Sequence, residues 1–255
     1  MLLPSLTTAN ALVVGASQGI GLEFVRQLLQ DGRIAHIFGT YRSQQTATEL
    51  MALAAQSAGR LQTVEVVLIE EVKIEAGLAT VQSIAPQLHI VINCVGLLHS
   101  QKQQPEKALR QLNPENLLTY FQVNSIGPAL LAKHVLPLLK HSDPSLLATL
   151  SAKIGSIEDN RIGGWYGYRA SKAALNMFLK TASIEYRRRS PNTAIVMLHP
   201  GTTDTQLSKP FQRGVPPEKL FTSERTVSQL LSVLSNVTQT DSGKFFSWDG
   251  SQLPW

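Results

Sequence analysis

The sequence holds one cysteine, Cys94, in 255 residues. That excludes an internal disulfide and any Cys-x-x-Cys metal or redox motif, and points to a reducing compartment, the cytoplasm. Charged residues make up 16% and aromatics only 6%, which argues against a base-stacking nucleic-acid surface. No apolar run approaches the roughly 20 residues of a membrane-spanning helix. The opening MLLPSLTTAN is too short, and lacks the basic start, of a secretory signal. His36, His89, His99, His134, His141 and His199 form no i,i+4 pair and no HExxH motif, and no GxSxG elbow is present. Metal hydrolase and serine hydrolase chemistry are therefore not expected, nor is a nucleic-acid or membrane partner.

Hydrophobic residues, at 43%, suffice for a sizeable core, and the length fits one large domain over 1–255. The formal charge of +5 comes from 23 Lys+Arg against 18 Asp+Glu. Its carriers are scattered, apart from Arg187-Arg188-Arg189, which suits a helix C-terminus. Near-continuously apolar runs at 11–14, 34–40, 63–69, 90–94, 146–150, 194–198 and 244–247 read as strands buried on both faces. Amphipathic stretches at 22–30, 46–58, 75–85, 115–139, 167–188 and 223–237 read as helices. Most strands are followed by a helical stretch, which predicts right-handed crossovers and an α/β, doubly wound, Rossmann-like parallel sheet of about seven strands.

The first strand runs into Gly15-Ala16-Ser17-Gln18-Gly19-Ile20-Gly21 and then a helix. Glycines there permit a tight turn and close backbone approach, and the helix N-terminus offers free N–H groups to a pyrophosphate. Gly15, Ser17, Gln18, Gly19, Ile20 and Gly21 are thus the expected phosphate contacts of a dinucleotide. The second strand ends at Tyr41-Arg42 without the acid that binds an NAD ribose. Arg42 suits a 2′-phosphate instead, so NADP is expected ahead of NAD.

Tyr168 and Lys172 are four residues apart in a helical stretch and share a face. A phenol near pKa 10 is a poor acid–base group at neutral pH. A nearby ammonium stabilises the phenolate, and bringing the pKa to about 7 takes roughly 4 kcal/mol.

GASQGIG, Tyr168-x-x-x-Lys172 and His199-Pro200-Gly201, in that order across nearly the whole chain, resemble the short-chain dehydrogenase/reductase family. The segment GSIEDNRIGGWYGYRASKAALNM and the ending GKFFSWDGSQLPW resemble a branch with carbonyl reductases and C-factor-type cell-signalling proteins. The resemblance implies an NAD(P)-dependent oxidoreductase acting on a small carbonyl or alcohol substrate, assembled as a homodimer or homotetramer. It makes Tyr168 the general acid or base, with Lys172 tuning it and holding the nicotinamide ribose. Asn124 matches the asparagine of a proton relay. Asn93, Cys94, Val95 and Gly96 resemble the turn beside the cofactor, and Pro200, Gly201, Thr202, Thr203 and Thr205 the carboxamide-binding segment. Glu70 or Glu71, with Glu71 the better match, falls near the adenine position.

The resemblance also has gaps. Ala152 falls at the place of the serine that polarises the substrate carbonyl. Ser151 lies one residue before it, on the opposite face of an extended chain, and Ser156 lies further on. Ser151 is the preferred replacement. Loss of such a donor typically costs about 10²–10³ in rate. A second reading is therefore a cofactor-binding signalling or regulatory protein with weak or no catalysis. The intact Asn124, Tyr168 and Lys172 oppose it. Residues 97–105, 157–165 and 207–220 are expected to shape the substrate site, with Trp165 a candidate lining residue.

Overall fold

The computed structural model describes residues 2–255. Its centre is a seven-stranded parallel sheet made of β1 (Ala9–Val14), β2 (Ile34–Tyr41), β3 (Leu61–Glu65), β4 (Ile90–Asn93), β5 (Ser145–Leu150), β6 (Thr193–His199) and β9 (Lys244–Ser247). The order is β3-β2-β1-β4-β5-β6-β9. The helices are α1 (Gly19–Leu29), α2 (Thr48–Gln56), α3 (Glu71–Ile84), α4 (Pro114–Phe121), α5 (Gly127–Leu139), α6 (Tyr166–Arg189) and α7 (Ser223–Ser235). This is the expected doubly wound architecture.

The sheet separates two apolar layers. Ala11 and Val13 of β1 join the layer containing residues of α1, α2 and α7, whereas Leu12 and Val14 join the layer of α3, α5 and α6. Alternate residues thus bury on opposite faces, which is why the central strands are apolar throughout. Strand order reverses between β1 and β4, and the crevice outside their C-terminal ends is where such sheets hold ligands.

Two expectations shift. The third strand ends at Glu65 rather than 69; Val66, Val67 and Leu68 stay buried beyond it, but Ile69 is exposed. The helix expected over 115–139 is two helices joined by a π-turn at Gln122–Ile126. Pro128 lies in the first turn of α5, directly after the π-turn. A short parallel pair, β7 (Thr202–Thr203) with β8 (Leu220–Phe221), brackets the loop between them.

The chain after β9 turns back at Gly250, φ +85°. Ser247 N–H donates to Ser251 O and Leu253 N–H to Phe245 O, both at 2.8 Å. The sheet edge is therefore covered by the chain's own residues. Trp255 stacks on Phe245 and its carbonyl accepts from Ser156 Oγ and Glu158 N–H. Among the described residues, no helix is long and apolar enough to cross a membrane.

Candidate active site

Glycine is required at two positions of the first turn. Gly15 has φ +80°, and a Cβ there would lie 2.8 Å from Val95 Cγ2. A Cβ on Gly21 would lie 2.1 Å from Gly15 O. Thr40 of β2, missed by the sequence reading, pins the turn: its hydroxyl accepts from Gly15 N–H at 3.0 Å and its carbonyl from Ala16 N–H at 2.8 Å. No described side chain caps α1 at Gln18, so the first N–H groups of α1 point free toward the crevice with the positive end of the helix dipole. Ser17, Gln18 and Ile20 lie in this turn, and Thr205 Cγ2 stands 3.3 Å from where a Gly19 Cβ would be. The cradle has the shape and free N–H groups to take a dinucleotide pyrophosphate, and Thr205 stands beside it.

At the end of β2, Tyr41 is buried and Arg42 is exposed, next to the same turn in sequence register. Asn93 closes β4, wholly buried, and its Oδ1 accepts from Val95 N–H at 3.1 Å. Cys94 N–H pairs with Val14 O at 2.8 Å, and burial pushes its thiol pKa upward. A Cβ on Gly96 would lie 3.6 Å from Lys172 Nζ and 3.9 Å from Asn124 Oδ1. Gly96 thus presents bare backbone beside both polar groups.

Glu71 does not join this cluster. Its carboxylate binds Lys133 Nζ and His134 Nε2 of α5, each at 2.7 Å, and these partners lower its pKa. The reason is local: α3 starts at Glu71, where the helix dipole favours an acid and the side chain faces α5. The carboxylate expected near the adenine is instead engaged on α5.

Asn124 sits in the π-turn, wholly buried. Its Oδ1 accepts from Leu97 N–H at 2.7 Å, and its Nδ2 donates to Leu97 O at 2.8 Å and Ser171 Oγ at 3.0 Å. Ser125 Oγ donates to Ser171 O at 2.7 Å. These bonds stitch the π-turn to α6 one residue from Lys172. Ser171 and Ser125 carry no catalytic pattern in the sequence, so only the packing reveals them.

Tyr168 and Lys172 lie on the buried face of α6, as their spacing predicts. Lys172 Nζ donates to Leu150 O at 3.0 Å and lies 5.9 Å from the Tyr168 ring centroid. Burial pushes the Tyr168 phenol pKa upward, with nearby Tyr120 adding to it, and lowers Lys172 to about 8. The expected lowering of the phenol by Lys172 is thus absent from the protein by itself. Desolvation outweighs an ammonium directed at a backbone carbonyl.

Glu106, unremarked in sequence, fixes the start of α6. Its Oε2 accepts from Gly167 N–H at 3.1 Å and its backbone carbonyl from Trp165 N–H at 2.5 Å. Trp165 itself has φ +53°, a conformation that side chains adopt at a cost of about 1–3 kcal/mol.

Neither candidate serine reaches Tyr168. Ser151 Oγ donates to Asn176 Oδ1 at 2.7 Å, and Ser156 Oγ donates to Trp255 O at 3.1 Å. Ala152, extended at φ −153°, ψ 142°, instead faces the apolar cluster of Leu98, Tyr120 and Tyr168. The expectation for Ser151 fails because neighbouring residues of an extended chain point opposite ways. Leu97, Trp165, Leu207 and Phe211 pack against the same cluster. Phe211 meets Trp165 edge-on at 4.8 Å between ring centroids.

Beyond β6, Pro200 and Gly201 turn the chain, with Gly201 at φ +75° against Phe221 and Trp248. Thr202 and Thr203 form β7. The Thr203 hydroxyl is held by Thr226 of α7 at 2.8 Å, which leaves Thr205 as the threonine nearest the glycine turn. Burial lowers the His199 pKa to about 4, helped by Lys153 and opposed by Asp249 and Asp159.

A doubly wound parallel sheet, a glycine cradle at its switch point and a Tyr–Lys–Asn cluster beside it define a Rossmann-like α/β protein of the dehydrogenase kind. The family model for short chain dehydrogenases matches residues 9–215, and the chain belongs to that family. C-signal of Myxococcus xanthus is 31% identical over 148 residues, covering 58% of this chain and 84% of that one. The 1-hydroxy-2-glutathionyl-2-methyl-3-butene dehydrogenase of a Rhodococcus species is 27% identical over 250 residues, 97% of this chain and all of that one. Among solved structures, NADPH-bound carbonyl reductase from chicken fatty liver superposes with a TM-score of 0.86 at 30% identity, covering 98% of this chain and 100% of that one. Carbonyl reductase Sniffer of D. melanogaster gives 0.86 at 26% identity, covering 97% and 100%.

Proposed function

We propose that this protein reduces a small carbonyl compound to an alcohol with NADPH, Tyr168 giving the proton. The observation that carries the reading is the convergence of Lys172 Nζ and Asn124 Oδ1 on Gly96, within 4 Å of the space a Cβ would fill there, with Tyr168 one turn away on α6. Bound in the crevice, the nicotinamide supplies the hydride that reduces the carbonyl carbon. Gly15, Ser17, Gln18, Gly19, Ile20 and Gly21 hold its pyrophosphate, and Thr205 covers it. Tyr41, Asn93, Cys94, Val95 and Gly96 flank the dinucleotide, and Pro200, Gly201, Thr202 and Thr203 carry the chain past its amide end. Arg42, exposed and without an ion pair among the described residues, meets the 2′-phosphate, and the NADPH-bound carbonyl reductase relative supports NADP over NAD.

Burial keeps the Tyr168 phenol protonated at neutral pH, which is the state a proton donor needs. Lys172, its ammonium 5.9 Å from the Tyr168 ring, positions the ribose beside the phenol. Asn124 fixes the 97 segment and the π-turn around both. The exposed apolar side chains Leu118 and Ile126, on α4 and the π-turn, and Met177, Phe178 and Ile184 of α6 favour a dimer across these elements. The single cysteine favours a cytoplasmic setting.

The test measures NADPH oxidation with a panel of aldehydes, ketones and quinones. Tyr168→Phe is expected to cut kcat about 10²–10⁴-fold with NADPH affinity kept. Unchanged turnover in Tyr168→Phe overturns the reading. A second reading, a signalling protein that binds the dinucleotide without efficient turnover, is favoured by the likeness to C-signal and by Ala152 beside Tyr168. NADPH binding without turnover of any carbonyl would select it.

A further inference from the structure

The wall of the cleft around Tyr168 holds little that can donate a hydrogen bond. Ala152 turns its methyl group to the Tyr168 side, in a cluster with Leu98 and Tyr120 and against Leu97, Ile154, Trp165, Leu207 and Phe211. The serine hydroxyls on either side of Ala152 and at the start of α6 are engaged elsewhere, Ser151 on Asn176, Ser156 on the Trp255 carbonyl and Ser171 on the Tyr168 backbone carbonyl. The Tyr120 hydroxyl donates to Leu98 O at 2.6 Å. Among these hydroxyls, the Tyr168 phenol alone is left to meet a substrate oxygen, with the Trp165 indole N–H the one other donor in the wall.

That composition has a kinetic consequence. Reduction breaks the carbonyl π bond: two electrons pass from the reduced dinucleotide, as hydride, to the carbon, and the π pair moves onto oxygen. The oxygen then takes one proton from Tyr168, which recovers it from solvent. Charge builds on oxygen before the proton arrives, and a pre-placed donor lowers that barrier by about 10²–10³ in rate. A methyl group at 152 supplies none, so the substrate itself must make its carbonyl carbon electron-poor.

We propose that Ala152 makes position 152 the specificity determinant of this site, restricting efficient turnover to carbonyls with an adjacent electron-withdrawing group on an apolar skeleton. The apolar preference comes from the lining, where Trp165 and Phe211 meet edge-on and pack against the cluster. The inference rests on the reductase reading above and names its substrate class.

The experiment uses the full chain with NADPH and a series of para-substituted acetophenones, plus 1-phenyl-1,2-propanedione as the activated member. Wild type is expected to show a steep rise of kcat/KM with electron withdrawal, the dione exceeding acetophenone by 10²-fold or more in keeping with the missing donor. Ala152→Ser is expected to raise the acetophenone rate by about 10²-fold and flatten the series. A second readout needs no turnover. Trp165 lies 6.2 Å from Tyr168 between ring centroids, so tryptophan fluorescence reports binding there. Ala152→Ser is expected to bind 4-nitrophenolate about tenfold tighter, the worth of one added hydrogen bond to a charged oxygen. A flat wild-type series with normal NADPH binding overturns the proposal alone. Failure of the wild type to bind NADPH overturns it together with the reductase reading. The wild-type slope decides the matter should Ala152→Ser fail to fold. Loss of turnover in a folded Ser151→Ala would place that hydroxyl in the site and overturn the proposal.

Discussion

Asn124 holds Leu97 by both backbone groups, accepting its N–H at 2.7 Å and donating to its carbonyl at 2.8 Å. One side chain thereby sets the path of the segment that follows β4, the floor of the crevice, and ties it to α6 through Ser171. Asn124→Ala leaves these part-buried groups without their partner, at up to about 1–3 kcal/mol each. The expected outcome is a loss of roughly 2–4 kcal/mol in urea unfolding. Weakened NADPH binding should accompany it, read by fluorescence titration. Wild-type values for both would mean that the segment holds its course without Asn124.

Arg42 is predicted to discriminate the two nicotinamide dinucleotides. A charge-assisted contact to a 2′-phosphate contributes about 1.5–3 kcal/mol. Arg42→Ala should therefore raise the dissociation constant for NADPH at least tenfold and leave that for NADH within about twofold. Equal weakening of both ligands would assign Arg42 a role outside phosphate recognition.

Glu106 supplies from a distant loop the acceptor that the α6 N-terminus lacks. Glu106→Ala is expected to cost about 1–2 kcal/mol, the range of a lost helix cap. Because the cap anchors the turn carrying Tyr168, kcat should fall more than KM rises. A stability loss without any change in kcat would confine Glu106 to folding.

His199 should give the fold an acid sensitivity. Burial lowers its folded-state pKa to about 4 from an ordinary value of 6.5. Between those values the unfolded chain binds more protons, so stability is fully present above about pH 6.5 and is lost as pH falls toward 4. At about 1.4 kcal/mol per unit the loss attributable to this group is roughly 3 kcal/mol. His199→Asn should flatten the thermal stability profile across that window. An unchanged profile would place the acid sensitivity in other groups.

Much of this molecule is legible along the chain. The apolar strands report burial on both faces, and Gly15 and Gly21 report a turn that excludes Cβ atoms. Tyr168 and Lys172 report a shared helical face. Each of these signals is local, with its period or spacing set by backbone geometry. The boundaries that slipped are those where tertiary contacts intervene. Leu68 remains buried after β3 ends because Gly127 packs against it, a Cβ there lying 2.8 Å from Leu68 Cβ. The long helix breaks at Asn124, where a π-turn brings its side chain to Leu97.

The sequence alone determined the class of fold, the glycine turn after β1, the shared helical face of Tyr168 and Lys172, and the alanine at position 152. The tertiary structure decided which groups face one another. Glu71 turns to Lys133 and His134, Ser151 to Asn176, and Ala152 to Tyr168, while Glu106 caps a helix 60 residues further on. It also decided that burial, rather than the ammonium of Lys172, governs the free Tyr168 phenol. Spacing in the chain fixes which side chains share an element. Direction, desolvation and hydrogen-bond partner arise only when elements distant in sequence pack together.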